Sequence, residues 1–406
     1  MKAQTNVVFA CAASLGLSLI WGSTICGQRS SQSIPEFNVQ QVNRHSEKRP
    51  RIEVCFVLDT TGSMSGLIQS AKDKIWSIAN EMMVTDPKPE IRFGLIGYRD
   101  RGDDYITNVF DLTDDIDSIH TQLTGFEAQG GNDHPESVNQ ALHESVSKMN
   151  WSSSREVLKI VFLVGDAPPH MDYANDILYP EVCTQALEKD LIINTVLCGG
   201  DSQTQEIWME IARKSEGKFV AIPQDGGTIA IATPFDEEIS KFNTAVNKTV
   251  CGYGNASEQQ AIQSKLASNQ SASAESVADR ADYFSKGRGE AGAGTGGGAK
   301  VIGGENDLVE LLIDGAVEMS AIENDKLPED LQKLSPDKQK TELEKRIAAR
   351  KEAQAKIDEL VKQRSEYIEK ERTRLAAEGK TDSFDSNVKE MIRTQAAAKG
   401  INYPNK

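Results

Sequence analysis

The sequence predicts a doubly wound α/β domain with a mostly parallel sheet, followed by a helical C-terminal region. Three observations carry this. The runs 51–58 (RIEVCFVL) and 157–164 (VLKIVFLV) are almost continuously apolar, as central parallel strands covered on both faces must be. Between them and after them, strand-like runs alternate with helical stripes up to residue 235. Beyond residue 335 one helical pattern continues without a break to residue 377.

The elements follow in order. Residues 1–27 hold Lys2, an apolar run over 7–21 and small residues around 22–27, the pattern of a secretory signal peptide. The alternative is an N-terminal anchor that is retained; lipid attachment at Cys26 is disfavoured by Ile25 before it. Either way the chain is expected to be exported, to a periplasm, a cell surface or the medium, and nothing later has the length of a membrane span. A polar linker, 28–50, leads into the domain at 51–235. There the strand 51–58 precedes a stripe of Leu67, Ile68, Ala71, Ile75, Ile78, Ala79, Met82 and Met83. Strands at 91–98 (IRFGLIGY) and 106–112, helices at 116–126 and 135–149, and the strand 157–164 come next. A helix near 181–189, a strand at 191–197, a helix at 205–216 and a last strand at 218–223 complete the domain.

The remainder divides by composition. Residues 236–285 are helical or of low complexity, rich in Ser, Ala and Gln. Residues 286–304 form a glycine-rich linker, without the GxxxxGK[ST] pattern of a phosphate loop. Residues 305–406 are helical, with a short amphipathic helix at 307–321 and the long one at 335–377. The long helix carries Leu343, Ile347, Ile357, Val361, Ile368 and Leu375 at helical spacing. Arg350, Gln354, Arg364 and Glu371 interrupt that seam, so packing against a neighbour is favoured over a coiled coil.

Charge narrows the function. Lys+Arg number 45 against Asp+Glu 61, a net charge of −16. Nearly all the excess lies in 51–227, with roughly 29 acids against 14 bases. Nucleic acid needs a basic face to replace its counterions, and none is evident; an anionic membrane surface is disfavoured for the same reason. Cys55, Cys183, Cys198 and Cys251 follow the signal segment. Export would permit their oxidation, but Cys55 and Cys198 sit in apolar strand-like runs that suit buried free thiols, and no pairing is assigned.

In a doubly wound sheet, ligands collect beyond the carboxyl ends of the strands. Three polar clusters fall there: Asp59-Thr60-Thr61-Gly62-Ser63, the loop from Gly130 to Glu136 (GGNDHPE), and Gly165-Asp166 with the residues to His170. Asp59, Thr61 and Ser63 alternate in a tight turn and can present one carboxylate and two hydroxyls to one point. These are hard oxygen donors, suited to Mg²⁺, with Mn²⁺ or Ca²⁺ as alternatives. Asp133 and Asp166 from neighbouring loops could complete the shell. A helix N-cap cluster is the competing account, but three oxygens at alternate positions exceed capping needs. His134 and His170 are expected to be solvent-facing, and YRDRGDD at 98–104 a solvated loop.

The run from Phe56 to Met64 resembles the opening of a von Willebrand factor type A domain with its metal-ion-dependent adhesion site, D-x-[ST]-x-S. The resemblance covers 51–235. It implies that Asp59, Thr61 and Ser63 match the first motif and Asp166 the aspartate after the fourth strand. The middle loop usually supplies threonine; here GGNDHPES is similar to a bacterial and hemicentin-like subset with GG-x-D-x-P-E, which puts Asp133 in that role. The implied function is divalent-cation-dependent binding of a protein ligand that supplies an oxygen to the metal, without catalysis. With Asp59, Asp133 and Asp166 all ionised around a divalent ion, the site keeps one surplus negative charge. That surplus would oppose an incoming carboxylate by roughly 4 kcal/mol at about 4 Å and an effective dielectric of about 20.

Three other readings compete with this one. The ion could be purely structural, with partners bound by the acidic face or the long helix. A haloacid-dehalogenase-type, Mg²⁺-dependent phosphohydrolase needs a second aspartate two residues after the first, where this chain has Thr61. A serine hydrolase would need a G-x-S-x-G elbow, which GSMSG at 62–66 does not match.

Overall fold

The computed structural model describes residues 49–131, 134–227, 231–288, 302–380 and 383–403. The signal segment, most of the polar linker and most of the glycine-rich linker therefore lie outside the described residues, as does Asp133.

Six strands form one sheet in the order β3-β2-β1-β4-β5-β6. They are β1 (Arg51–Asp59), β2 (Glu90–Tyr98), β3 (Thr107–Thr113), β4 (Leu158–Gly165), β5 (Ile192–Cys198) and β6 (Phe219–Ile222). All pairings are parallel except β2 with β3 at the edge. β1 and β4 are buried almost throughout, which is why their sequences lack polar alternation. Strand order reverses between β1 and β4, so the chain leaves their carboxyl ends in opposite senses and opens a crevice there.

The helices cover both faces. α1 (Ser65–Met82) and α2 (Ile116–Thr124) pack on one face; α3 (Val138–Ser147), α4 (Tyr179–Glu188) and α5 (Ser202–Lys214) pack on the other. The C-terminal region is α6 (Asp236–Asn247), α7 (Ala256–Ser271), α8 (Ala274–Arg288), α9 (Leu308–Ile313), α10 (Glu329–Gln332), α11 (Pro336–Ala377) and α12 (Ser383–Ala398). The short amphipathic helix is thus only the six residues of α9, because Gly315 adopts φ +70° just beyond it.

The C-terminal helices dock on the α/β domain. Tyr283 and Phe284 of α8, with Phe384, Val388, Met391 and Ile392 of α12, belong to the same apolar core as β1 and α1. Asn194 on β5 and Gln395 on α12 exchange two buried amide hydrogen bonds of 3.0 and 2.7 Å. The arginines that interrupt the seam of α11 are buried ion-pair partners. Arg350 reaches Asp307 at 2.5 Å and Glu310 at 3.1 Å, while Arg364 reaches Asp236 and Asp279, each at 2.6 Å. α11 packs against α6, α8 and α9, so it is a docked helix rather than half of a coiled coil. The four described cysteines are free and buried. Among the described residues no helix is long and apolar enough to cross a membrane.

Candidate metal centre

Asp59 is the last residue of β1, held at full burial by the pairing of that strand on both sides. Its Oδ1 accepts hydrogen bonds from the Thr61 amide (2.8 Å) and the Thr61 hydroxyl (2.6 Å), which curls the following turn back over the carboxylate. The Ser63 hydroxyl stands 3.3 Å from that of Thr61, in the short 3₁₀ turn Gly62–Met64 that leads into α1. Thr61 is buried and Ser63 exposed, so the three oxygens run from floor to mouth.

Asp166 follows β4 directly. Its Oδ2 accepts from the Gln224 side-chain amide at 2.7 Å, while its Oδ1 is buried without a partner. Asp59 Oδ2 is likewise buried without a partner. Two orphaned carboxylate oxygens at the ends of adjacent strands are costly unless something cationic completes them. Burial pushes the Asp59 carboxyl up to about 7, reinforced by the Asp166 charge and opposed by the Thr61 hydrogen bonds and by the Asp166 main-chain amide. These donors fit a hard divalent cation, and Asp59, Thr61, Ser63 and Asp166 are the residues that would hold it. Among the described residues no group of three or more His, Cys, Asp or Glu side chains is placed to hold a metal; this site offers two carboxylates and two hydroxyls.

The middle loop is brought to the same place. The Gly62 amide donates to the Gly130 carbonyl (3.3 Å) and the Gln129 amide to the Thr60 carbonyl (3.1 Å). Gly130 and Gly131 adopt φ +78° and +75°, and a Cβ on Gly131 would lie 3.0 Å from both Thr61 Cβ and Glu136 Oε1. Glycine is therefore needed where the two loops touch. Glu136, a polar loop residue by sequence, is a buried carboxylate beside Thr61. Its main chain ties the middle loop to the Asp166 loop, donating to the Pro168 carbonyl (2.9 Å) and accepting from the His170 amide (3.0 Å).

Two expectations need correction. YRDRGDD is not a solvated loop throughout: Arg99 and Asp100 are buried. Arg99 donates to the main-chain carbonyls of Thr60 at 3.2 Å and Glu127 at 2.8 Å, bracing the turn after β1 from behind. Asp100 accepts from Ser137 and Tyr173, each at 2.8 Å, and Asp103 accepts from the Gly131 amide at 3.1 Å. Nor is His170 solvent-facing. It is buried, stacked on Tyr173 at 4.1 Å, and set between Asp172 (2.8 Å) and Asp100 (3.4 Å). His134 is exposed, as expected.

A separate cleft of about 610 Å³ lies among α1, α8, α11 and α12. Its charges are largely paired with one another, as in Arg393–Glu81 and Lys389–Asp385, and it contains none of the loop residues above.

Residues 53–234 match the family model for the von Willebrand factor A domain. Over 223 residues the chain is 29% identical to an ariadne-like RING finger protein of Acanthamoeba polyphaga mimivirus, covering 50% of this chain and 22% of that protein. The match thus spans about a fifth of that relative's length. Among solved structures, proximal thread matrix protein 1 of the mussel byssus aligns over 44% of this chain and 43% of its own, with 16% identity and a TM-score of 0.34. A structure of that mussel protein with a zinc-occupied MIDAS motif aligns equally. The SpRpn10 VWA domain aligns over 43% of this chain and 89% of its own, with 14% identity and a TM-score of 0.33.

Proposed function

We propose, from the match of residues 53–234 to the von Willebrand factor A domain family model, that the chain binds a protein partner through a divalent cation, Mg²⁺ in the first instance, without turnover. Asp59, Thr61, Ser63 and Asp166 hold the ion in this reading, Asp133 fills the middle-loop place, and the partner supplies an oxygen to the exposed coordination position. The single observation that carries the reading is the pair of buried, unpartnered carboxylate oxygens, Asp59 Oδ2 and Asp166 Oδ1, beneath an exposed Ser63. Hard oxygens at the switch point of a parallel sheet are what such a cation requires. We further propose, from the apolar run at 7–21, that the protein acts outside the cytoplasm.

Calorimetric titration of the full chain with Mg²⁺, beside Asp59→Ala, tests the cation. Wild type should bind one ion and the variant none; equal heats in both would end the reading. A short Glu-containing peptide and its Gln counterpart, titrated with Mg²⁺ and with EDTA, test the partner chemistry. Peptide binding that requires Mg²⁺ is expected, with little advantage of Glu over Gln because the surplus charge opposes a carboxylate, whereas metal binding with no peptide bound would make the ion structural.

A further inference from the structure

Tyr98 ends β2, beside β1, and its side chain is fully buried. Its hydroxyl has no hydrogen-bond partner, although buried polar groups in folded proteins are nearly always paired. Asp59 Oδ2 and Asp166 Oδ1 share that condition. Three neighbouring strands, β2, β1 and β4, therefore each deliver one orphaned polar atom to the same sheet edge.

The first two of these atoms converge on Gly165. A Cβ built on Gly165 would stand 2.4 Å from the Tyr98 hydroxyl oxygen and 3.1 Å from Asp59 Oδ2, and Asp166 is the next residue along. Gly165 thus leaves the space that lets the phenol reach the carboxylates. The chemistry is complementary: one neutral donor stands beside the Asp59 carboxylate, with Glu136 and Asp166 as its next charged neighbours. Phenylalanine would fill nearly the same volume without an orphaned hydroxyl, so the hydroxyl costs stability unless the occupied site employs it. Asp166 is meanwhile held from its other oxygen by Gln224 at 2.7 Å, which leaves only the inner oxygen to be oriented.

Resting on the cation site proposed above, we propose that Tyr98 is its positioning residue, donating a hydrogen bond from the floor of the site to the Asp59–Asp166 carboxylate pair when both are ionised around the metal. Groups that orient metal ligands in this way typically alter affinity by one to two orders of magnitude.

The test is Tyr98→Phe in the full chain, with Mn²⁺ binding followed by the loss of the free-ion EPR signal and melting temperature measured in EDTA. Mn²⁺ affinity should fall about tenfold while the metal-free melting temperature stays level or rises, since an unpaired buried hydroxyl has been removed. A purely structural tyrosine would lower the metal-free melting temperature instead, and either that result or unchanged Mn²⁺ affinity would overturn the role. Wild type binding no more Mn²⁺ than Asp59→Ala would remove the cation site itself, a failure distinguishable from the other two.

Discussion

At Gly165 the sheet and the site make opposite demands on one residue. β4 needs a residue that continues the strand, yet any Cβ there would press on the Tyr98 hydroxyl at 2.4 Å and on Asp59 Cβ at 2.9 Å. Neither neighbour can swing away, because both are fully buried and fixed at strand ends. Gly165→Ala is therefore expected to cost about 1–3 kcal/mol and to abolish any Mg²⁺-dependent rise in melting temperature. Thermal melts with Mg²⁺ and with EDTA check both effects together; a variant that keeps the full metal response would show that the floor can yield. The charge of Asp133 makes a second prediction at this scale. Replacing it with Thr removes the surplus negative charge, so an acidic peptide should bind more tightly in Mg²⁺ while the ion itself binds more weakly. Peptide titration of Asp133→Thr with unchanged or weaker affinity would count against that charge balance.

Among the elements, α11 shows how polar interruptions of an apolar seam can specify docking. Arg350 is wholly enclosed and donates to Asp307, Glu310 and Thr249, so it fixes the register of α11 against α9 and the end of α6. Truncation to alanine strands Asp307, itself fully buried, and should cost about 3–5 kcal/mol, whereas Arg350→Met keeps the stem packing and should cost less. Urea midpoints for the two variants decide this; equal losses would mean that the stem packing is immaterial and that the stranded charge carries the whole cost. The same helix marks what a sequence reading can reach. β1 and β4 were legible because strands buried on both faces leave long apolar runs, and the oxygen-lined turn after β1 was legible because it follows that strand without a gap. The docking of α12 was not, since an apolar stripe such as Phe384, Val388 and Met391 says that a face is covered but not by what. Tyr98 and Glu136 escaped for a related reason. An aromatic at a strand end looks like core, and a glutamate in a polar loop looks solvated, until the fold sets both beside the carboxylates.

Over the whole molecule, two buried groups set opposing pH dependences. His120 lies against Trp76, with ring centroids 5.5 Å apart, under α7 and near Asp117, Arg280 and Lys72. Burial, with smaller contributions from Arg280 and Lys72 and against Asp117, pushes its imidazole down to about 4. Folding thus favours the neutral ring. That stability is fully present above about 6.5 and is lost as pH falls through about 4, roughly 3 kcal/mol in all. Asp59 runs the other way. Its folded carboxyl is raised to about 7 from an ordinary value of 3.8, so its contribution is fully present below about 4 and disappears as pH rises through 7. Without metal the two nearly offset each other between those limits. A bound divalent cation keeps Asp59 ionised and removes its opposition, while His120 is unaffected. The stabilisation conferred by Mg²⁺ should therefore grow from about pH 5 to about pH 7 and then level off. Melting temperatures in Mg²⁺ minus those in EDTA, taken across that range, isolate the Asp59 contribution from every group that the ion does not touch. In Asp59→Asn the difference should vanish at every pH; a residual rise with pH would place the metal-linked proton on another residue.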